Sequence, residues 1–139
     1  MTTVLVDTNV VLDVLVDRRP HVEASAAVWA AVEAGSLRGL LAAHAVTTIH
    51  YLIRRELGGL KAKRTIARLL RIFEIAAVDG PVIQLALELP CADFEDAVTA
   101  AAAKFAGCDC LLTRDPRGFR ASPVRSLTPE AAAPLLRRQ

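Results

Sequence analysis

The chain opens with a short apolar run, Val4-Leu5-Val6, that stops at Asp7. A run of this length bounded by a polar residue predicts a buried strand. Val10, Val11, Val14 and Leu15 then recur at helical spacing, so a helix is expected directly after Asp7, broken by Arg18-Arg19-Pro20. A second helix is predicted over 21–35, with Val28, Trp29 and Val32 on its apolar side, and a second strand over 39–42. The next helix, 44–57, turns Val46, Ile49, Leu52 and Ile53 to the core and ends at Gly58-Gly59. Another, over 60–73, does the same with Ile66, Leu69, Leu70 and Phe73. A strand at 75–78 and a helix at 81–89 follow, the latter closed by Pro90. An alanine-rich helix over 93–106 ends at Gly107 and leads into a buried strand at 110–113. A last strand is predicted at 124–127, and a terminal helix at Thr128-Pro129-Glu130, with Thr as cap and Pro at the first helical position.

Strands alternate with helices from end to end. That order predicts a three-layer α/β/α domain around a mostly parallel sheet, one domain over 1–139, without repeat, linker or low-complexity segment. The length suffices to bury a core, and 53% hydrophobic residues exclude a disordered chain. Charges interrupt every apolar stretch before the ~20 residues a membrane span needs, so no membrane partner is expected. Met1-Thr2-Thr3 lacks the basic start of a signal peptide, which leads to the expectation of a cytoplasmic protein. Three cysteines, Cys91, Cys108 and Cys110, cannot all pair within one chain, and Cys108-x-Cys110 is not a zinc spacing; free thiols are expected.

The formal net charge of +2 is too small to imply a nucleic-acid partner, but its distribution is uneven. Arg54, Arg55, Lys61, Lys63, Arg64, Arg68 and Arg71 stand against Glu56 alone. A second group holds Arg114, Arg117, Arg120, Arg125, Arg137 and Arg138. Both can attract a polyanion, and an ordinary solvated helix face and tail account for them equally well.

Ligands of parallel α/β sheets gather beyond the carboxyl ends of the strands. Asp7 follows the first strand, Asp115 follows the strand ending at Thr113, and Asp96 sits in the first turn of the helix before that strand, with Asp93 and Glu95 beside it. Each has a plain structural role: Asp7 as a helix cap, Asp93 and Asp96 at N-cap and third position, Asp115 in a turn before Pro116. Together they form a carboxylate cluster that is costly without a cation. Oxygen-only ligands suit Mg²⁺ or Mn²⁺ rather than zinc.

Three segments carry a resemblance. Val4-Leu5-Val6-Asp7-Thr8-Asn9-Val10 resembles the opening of a PIN domain. Asp93-Phe94-Glu95-Asp96-Ala97 resembles that family's central acidic motif, and Gly107-Cys108-Asp109-Cys110-Leu111-Leu112-Thr113-Arg114-Asp115-Pro116 its closing motif. The order is the expected one and covers nearly the whole chain. The likeness is greatest to the branch that carries an Asp-Phe-Glu-Asp segment and includes VapC-like toxins.

The resemblance implies a Mg²⁺- or Mn²⁺-dependent endoribonuclease that hydrolyses RNA phosphodiester bonds, the toxin of a type II toxin–antitoxin system. It sets Asp7, Asp96 and Asp115 on the family's metal-binding acids, and Asn9 and Thr113 on polar neighbours that hold the site or its water. It also implies a cognate antitoxin whose C-terminal segment covers the cleft, and a homodimer. A metal held by Asp7 and Asp96 would activate a bound water, with Asp115 orienting that water or binding a second ion. Arg114 and Arg117 are candidates for gripping neighbouring phosphates.

One departure matters. Many PIN domains place a Glu on the helix after the second strand, where this chain has Thr48. Asp93 and Glu95 compete to replace it. Residues three apart share a helix face, which favours Asp93 as a further metal ligand beside Asp96. The alternative is a catalytically weak or inactive PIN scaffold that binds RNA or a protein. His44, one turn before Thr48, can face the cleft, although a core or surface role is the plainer expectation; Tyr51 and Trp29 are candidates to stack on a base, with Trp29 better read as core. A haloacid-dehalogenase-type phosphatase fits poorly, since Asn9 stands where its second Asp belongs, and a receiver domain fits poorly because Asp96 lies on a helix.

Overall fold

A computed structural model describes residues 1–137. The elements run β1 (Thr3–Val6), α1 (Thr8–Leu15), α2 (Val22–Glu33), β2 (Arg38–Ala42), α3 (Ala43–Leu57), α4 (Gly59–Ile72), β3 (Glu74–Ala76), α5 (Gly80–Glu88), α6 (Phe94–Phe105), β4 (Cys110–Leu112), a 3₁₀ turn (Pro116–Phe119), β5 (Ser126–Leu127) and α7 (Ala133–Arg137). The sheet order is β3-β2-β1-β4-β5, and every pairing is parallel. The three-layer α/β/α arrangement expected from the alternation is thus present.

The two-residue period of the strands divides the core in two. Val4, Val6, Leu41 and Leu112 point to one face, where they pack with Val10, Leu12, Val28, Trp29 and Phe73. Leu5, Leu40 and Leu111 point to the other and meet Val82, Ala86 and the alanines of α6. β1 is buried along its whole length, as the middle strand of a parallel sheet must be. The small α6 side chains let that helix lie close on the sheet.

Local chemistry sets the element ends. Leu89 is extended before Pro90, so α5 stops at Glu88. Gly58 joins α3 directly to α4 at φ +90°, which a side chain would resist. Arg38 and Glu74 clamp the starts of β2 and β3 through two hydrogen bonds of 2.6 and 2.9 Å.

Some expectations need correction. The terminal helix begins at Ala133 rather than at Pro129: Thr128 caps only a turn, through Ala131 N at 3.0 Å, and Pro134 has no N–H to extend it. Leu70 is 53% exposed; Ala62 and Leu69 make the buried stripe of α4 instead. The turn expected at Asp115-Pro116 is a 3₁₀ turn over Pro116–Phe119. Arg138 and the side chain of Arg137 lie outside the described residues. Cys110 is buried, Cys91 and Cys108 are half-buried, and all three are free thiols. No helix among the described residues is long and apolar enough to cross a membrane.

Candidate functional site

The carboxyl ends of β1 and β4 carry the first two acids. Asp7 continues the ladder past β1, its N–H donating to the Leu112 carbonyl at 2.9 Å. Its Oδ1 accepts from Thr8 N at 2.9 Å as the cap of α1, and its Oδ2 accepts from Thr113 Oγ1 at 2.9 Å. Thr113 is buried, and the same hydroxyl accepts from Asp115 N at 3.1 Å. One hydroxyl therefore ties the Asp7 carboxylate to the backbone of Asp115. Burial raises the Asp7 pKa above 3.8; the bonds from Thr113 and Thr8 oppose this, Glu95 adds to it, and His44 lowers it.

The third acid arrives on α6. Asp93 caps that helix, its Oδ1 accepting from Glu95 N at 2.8 Å and Asp96 N at 3.3 Å. This places Asp96 one turn in, against the 3₁₀ turn. A Cβ added to Gly118 would lie 3.0 Å from Asp96 Oδ2 and 3.7 Å from Asp115 Oδ2. The two carboxylates thus close on one point that the glycine leaves open. Burial pushes the Asp96 carboxyl up to about 6, helped by the charges of Asp93, Asp7, Glu95 and Asp115 in that order.

A cleft of about 290 Å³ opens here, lined by Cys91, Asp93, Asp96, Arg117, Gly118 and Arg120 among others. Hollows of about 530 and 490 Å³ lie elsewhere, beside Asp109 and between α1 and α3, but each has only one acid on its wall. The smaller cleft has two, Asp93 and Asp96.

Among the described residues no three His, Cys, Asp or Glu side chains form a ready ligand cage. The fit to a divalent cation rests on the acids and the gap: several carboxylate oxygens, a carboxyl pushed up by burial and by its acidic neighbours, and a cradle at Gly118 that a Cβ would fill; the Cys91 thiol, itself raised by burial and by Asp96, also lines the cleft. Asp7, Asp96 and Asp115 are the residues suited to hold such an ion, with Asp93 and Glu95 adjoining.

The remaining candidates fall in different places. Arg117 is exposed and shares the cleft wall with Asp93 and Asp96. Arg114 is turned inward: its Nε lies 3.0 Å from Asp13 Oδ2, and Asp13 is fully buried on α1. Asn9 is exposed, and its Oδ1 accepts from Arg18 Nη1 at 3.1 Å. Thr48 is half-buried on α3. His44 reaches Thr99 of α6, Nε2 to Oγ1 3.2 Å; Thr99 donates to the Glu95 carbonyl at 3.0 Å, so it accepts from His44 Nε2–H. This pair braces α3 against α6 behind the cleft.

Three contributors lie outside the residues singled out from the sequence: Asp13, Thr99 and Gly118, while His44 has the structural role that is its plainer expectation. Asp13 carried a signal, since it sits three residues after Val10 on an otherwise apolar helix stripe. Gly118 carried a weaker one, as a glycine three residues past a candidate ligand.

A family model described as PIN domain matches residues 3–117. None of the curated proteins matches the chain. Among solved structures, FitAcB from Neisseria gonorrhoeae is similar at a TM-score of 0.72 and 25% identity, over 91% of this chain and 98% of that one. A toxin–antitoxin complex from Klebsiella pneumoniae gives 0.68 and 18%, over 91% and 97%. Mycobacterium tuberculosis VapC20, a sarcin–ricin loop cleaving toxin, gives 0.66 and 18%, over 88% and 98%. At 18% identity the likeness is one of fold.

Proposed function

The chain belongs to the PIN domain family, and on that premise we propose that it is a Mg²⁺- or Mn²⁺-dependent endoribonuclease, the toxin of a type II toxin–antitoxin pair acting in the cytoplasm. The observation that carries the reading is the convergence of the Asp96 and Asp115 carboxylates on the gap at Gly118, beside an Asp7 held by Thr113. RNA as substrate is supported by the fold the chain shares with VapC20, a sarcin–ricin loop cleaving toxin. An antitoxin partner is supported by the complex to which the fold is similar.

A divalent cation bound by Asp7, Asp96 and Asp115 would supply a Lewis acid and a water of lowered pKa. The chain's own residues do the rest. Thr113 fixes the Asp7 carboxylate and the Asp115 backbone in one arrangement. Asp115, exposed beside Asp96, would orient a water for in-line attack on phosphorus; the water's proton would pass to solvent, and the ribose oxygen would leave with a proton taken from solvent. Arg117 grips a neighbouring phosphate beside the acids. Asp93 caps α6 and adds its charge to the cluster, while Arg114 and Asn9 act from behind the site, through Asp13 and Arg18.

The test is cleavage of a mixed RNA pool by purified protein. EDTA should abolish it and Mn²⁺ restore it. RNA binding without cleavage in Mn²⁺ would replace the nuclease by a binding scaffold, the outcome that Thr48 in place of a Glu would then explain. Expression alone should slow bacterial growth, and co-expression of the adjacent small protein should relieve it.

A further inference from the structure

Outside the cleft, charge is concentrated most strongly on the α3–α4 pair. Residues 54–71 carry seven cations and one acid, a net +6 in a chain whose total is +2, so the rest of the molecule is at −4. All seven cations are exposed. Lys61, Arg64, Arg68 and Arg71 fall at intervals of three and four on α4 and so lie along one helix face. Cations three and four apart on a helix repel one another. The one acid, Glu56, pairs with Arg55 at 3.6 Å and leaves the α4 stripe uncompensated.

The stripe also has shape. Leu57, Leu60, Lys61, Arg64, Thr65 and Arg68 line one hollow of about 470 Å³, so cations rim a partly apolar floor. Arg68 is steadied across the Trp29 ring at 5.9 Å. Along α4 the four cations span roughly 15 Å at the helical rise. A nucleic-acid strand presents charge at close, regular spacing along a line, with flat apolar faces between. The four cations in line match that repeating backbone charge; an acidic peptide is the competing occupant that the experiment tests.

We propose that the α4 stripe Lys61, Arg64, Arg68 and Arg71 docks the phosphate backbone of single-stranded RNA, apart from the acid cleft. The proposal rests on the nuclease reading, since it gives the substrate a second hold. None of the four stripe residues lines the acid cleft, so the stripe acts on the binding of extended RNA and not on the reacting phosphate.

The experiment measures the affinity of wild type and a Lys61→Gln/Arg64→Gln/Arg71→Gln variant for a fluorescent single-stranded RNA, in EDTA, over a range of salt. Each lost phosphate contact lowers the slope of log affinity against log salt by about 0.7, so the variant's slope should fall by about 2 and its low-salt affinity at least about tenfold. Melting temperature reports its fold, and should the triple variant not fold, Arg64→Gln alone should lower the slope by about 0.7. Equal slope and affinity in variant and wild type overturn the proposal. So does a wild type that binds polyglutamate through the stripe but not RNA. Because binding is read without metal, a protein that never cleaves RNA sinks the nuclease reading and leaves this measurement standing.

Discussion

Two aspartates less than one domain apart solve the same electrostatic problem in opposite ways. Asp13 is fully buried yet has two cations of its own, Arg114 Nε at 3.0 Å and Arg18 Nη1 at 4.0 Å, and accepts from the Ser25 hydroxyl at 3.1 Å. Asp96 is only half-buried yet faces four other carboxyls, and its own is pushed up to about 6. A structural carboxylate is neutralised from inside the chain. One left among its own kind waits for a cation from outside. The two are coupled, because Arg114 stands between Thr113 and Asp115 and anchors their segment to α1.

Removing the cation at Asp13 should have the largest effect on stability. Arg114→Met keeps much of the side-chain volume but leaves a buried charge with fewer partners, and breaking one side of a buried pair costs about 3 kcal/mol or more. Chemical denaturation measures it. Restoring neutrality with Asp13→Asn in the same chain should recover part of the loss; no recovery would mean that Arg114 acts by packing alone.

Asp96→Asn should do the reverse. It removes charge from the crowded site, so the metal-free protein should become more stable by about 1 kcal/mol. Cleavage should fall at least about 100-fold, the scale of losing one group that stabilises developing charge. A clear drop in melting temperature would make Asp96 structural, like Asp13, and erase the contrast.

The same contrast has a pH signature. The Asp96 carboxyl rises from 3.8 to about 6 on folding, so the folded state holds its proton more tightly than the unfolded state. That stability is fully present below pH 3.8 and is lost as pH rises through about 6. Undiluted, such a rise is worth about 3 kcal/mol; solvent at the cleft mouth screens it to about 1–2. Asp7 is raised in the same direction. Metal-free wild type should thus lose stability relative to Asp96→Asn between about pH 4 and 7, and Mn²⁺ should return it, because the ion binds the deprotonated set. A wild-type-minus-variant difference that stays flat with pH would remove the case for an uncompensated cluster.

How much of this was legible in the sequence depended on whether a residue acts locally. Asp7, Asp96 and Asp115 could be found because strand ends and helix starts are local patterns, and parallel topology brings them together. Asp93 as a cap followed from its position alone. Arg114 suggested a free phosphate grip because nothing nearby in sequence shows that Asp13, about a hundred residues earlier, faces it. His44 and Thr99 meet across 55 residues, and no local rule pairs them. The late start of α7 shows a further limit: the cap and first-position proline were real signals, but a second proline at 134 outweighed them.

The smallest effect settles which acid stands in for the one absent at Thr48. α6 starts at Phe94, so Asp93 and Asp96 share a face, and Asp93 is the strongest charged neighbour of Asp96. Its Oδ1 is taken by the two backbone N–H groups, which leaves Oδ2 for the cleft. Glu95 acts more weakly on Asp96 but also on Asp7. Asn caps a helix about as well as Asp, so Asp93→Asn removes the charge and keeps the cap. Its melting temperature should stay within about 2 °C of wild type, a change worth only a few tenths of a kcal/mol, while Mn²⁺ affinity falls a few-fold by titration calorimetry and the Asp96 carboxyl relaxes towards its usual range. Glu95→Gln should change the affinity less. If Glu95→Gln weakens the metal more, the flexible Glu bridging Asp7 and Asp96 is the replacement, and Asp93 is a cap whose charge reaches the cleft without reaching the ion.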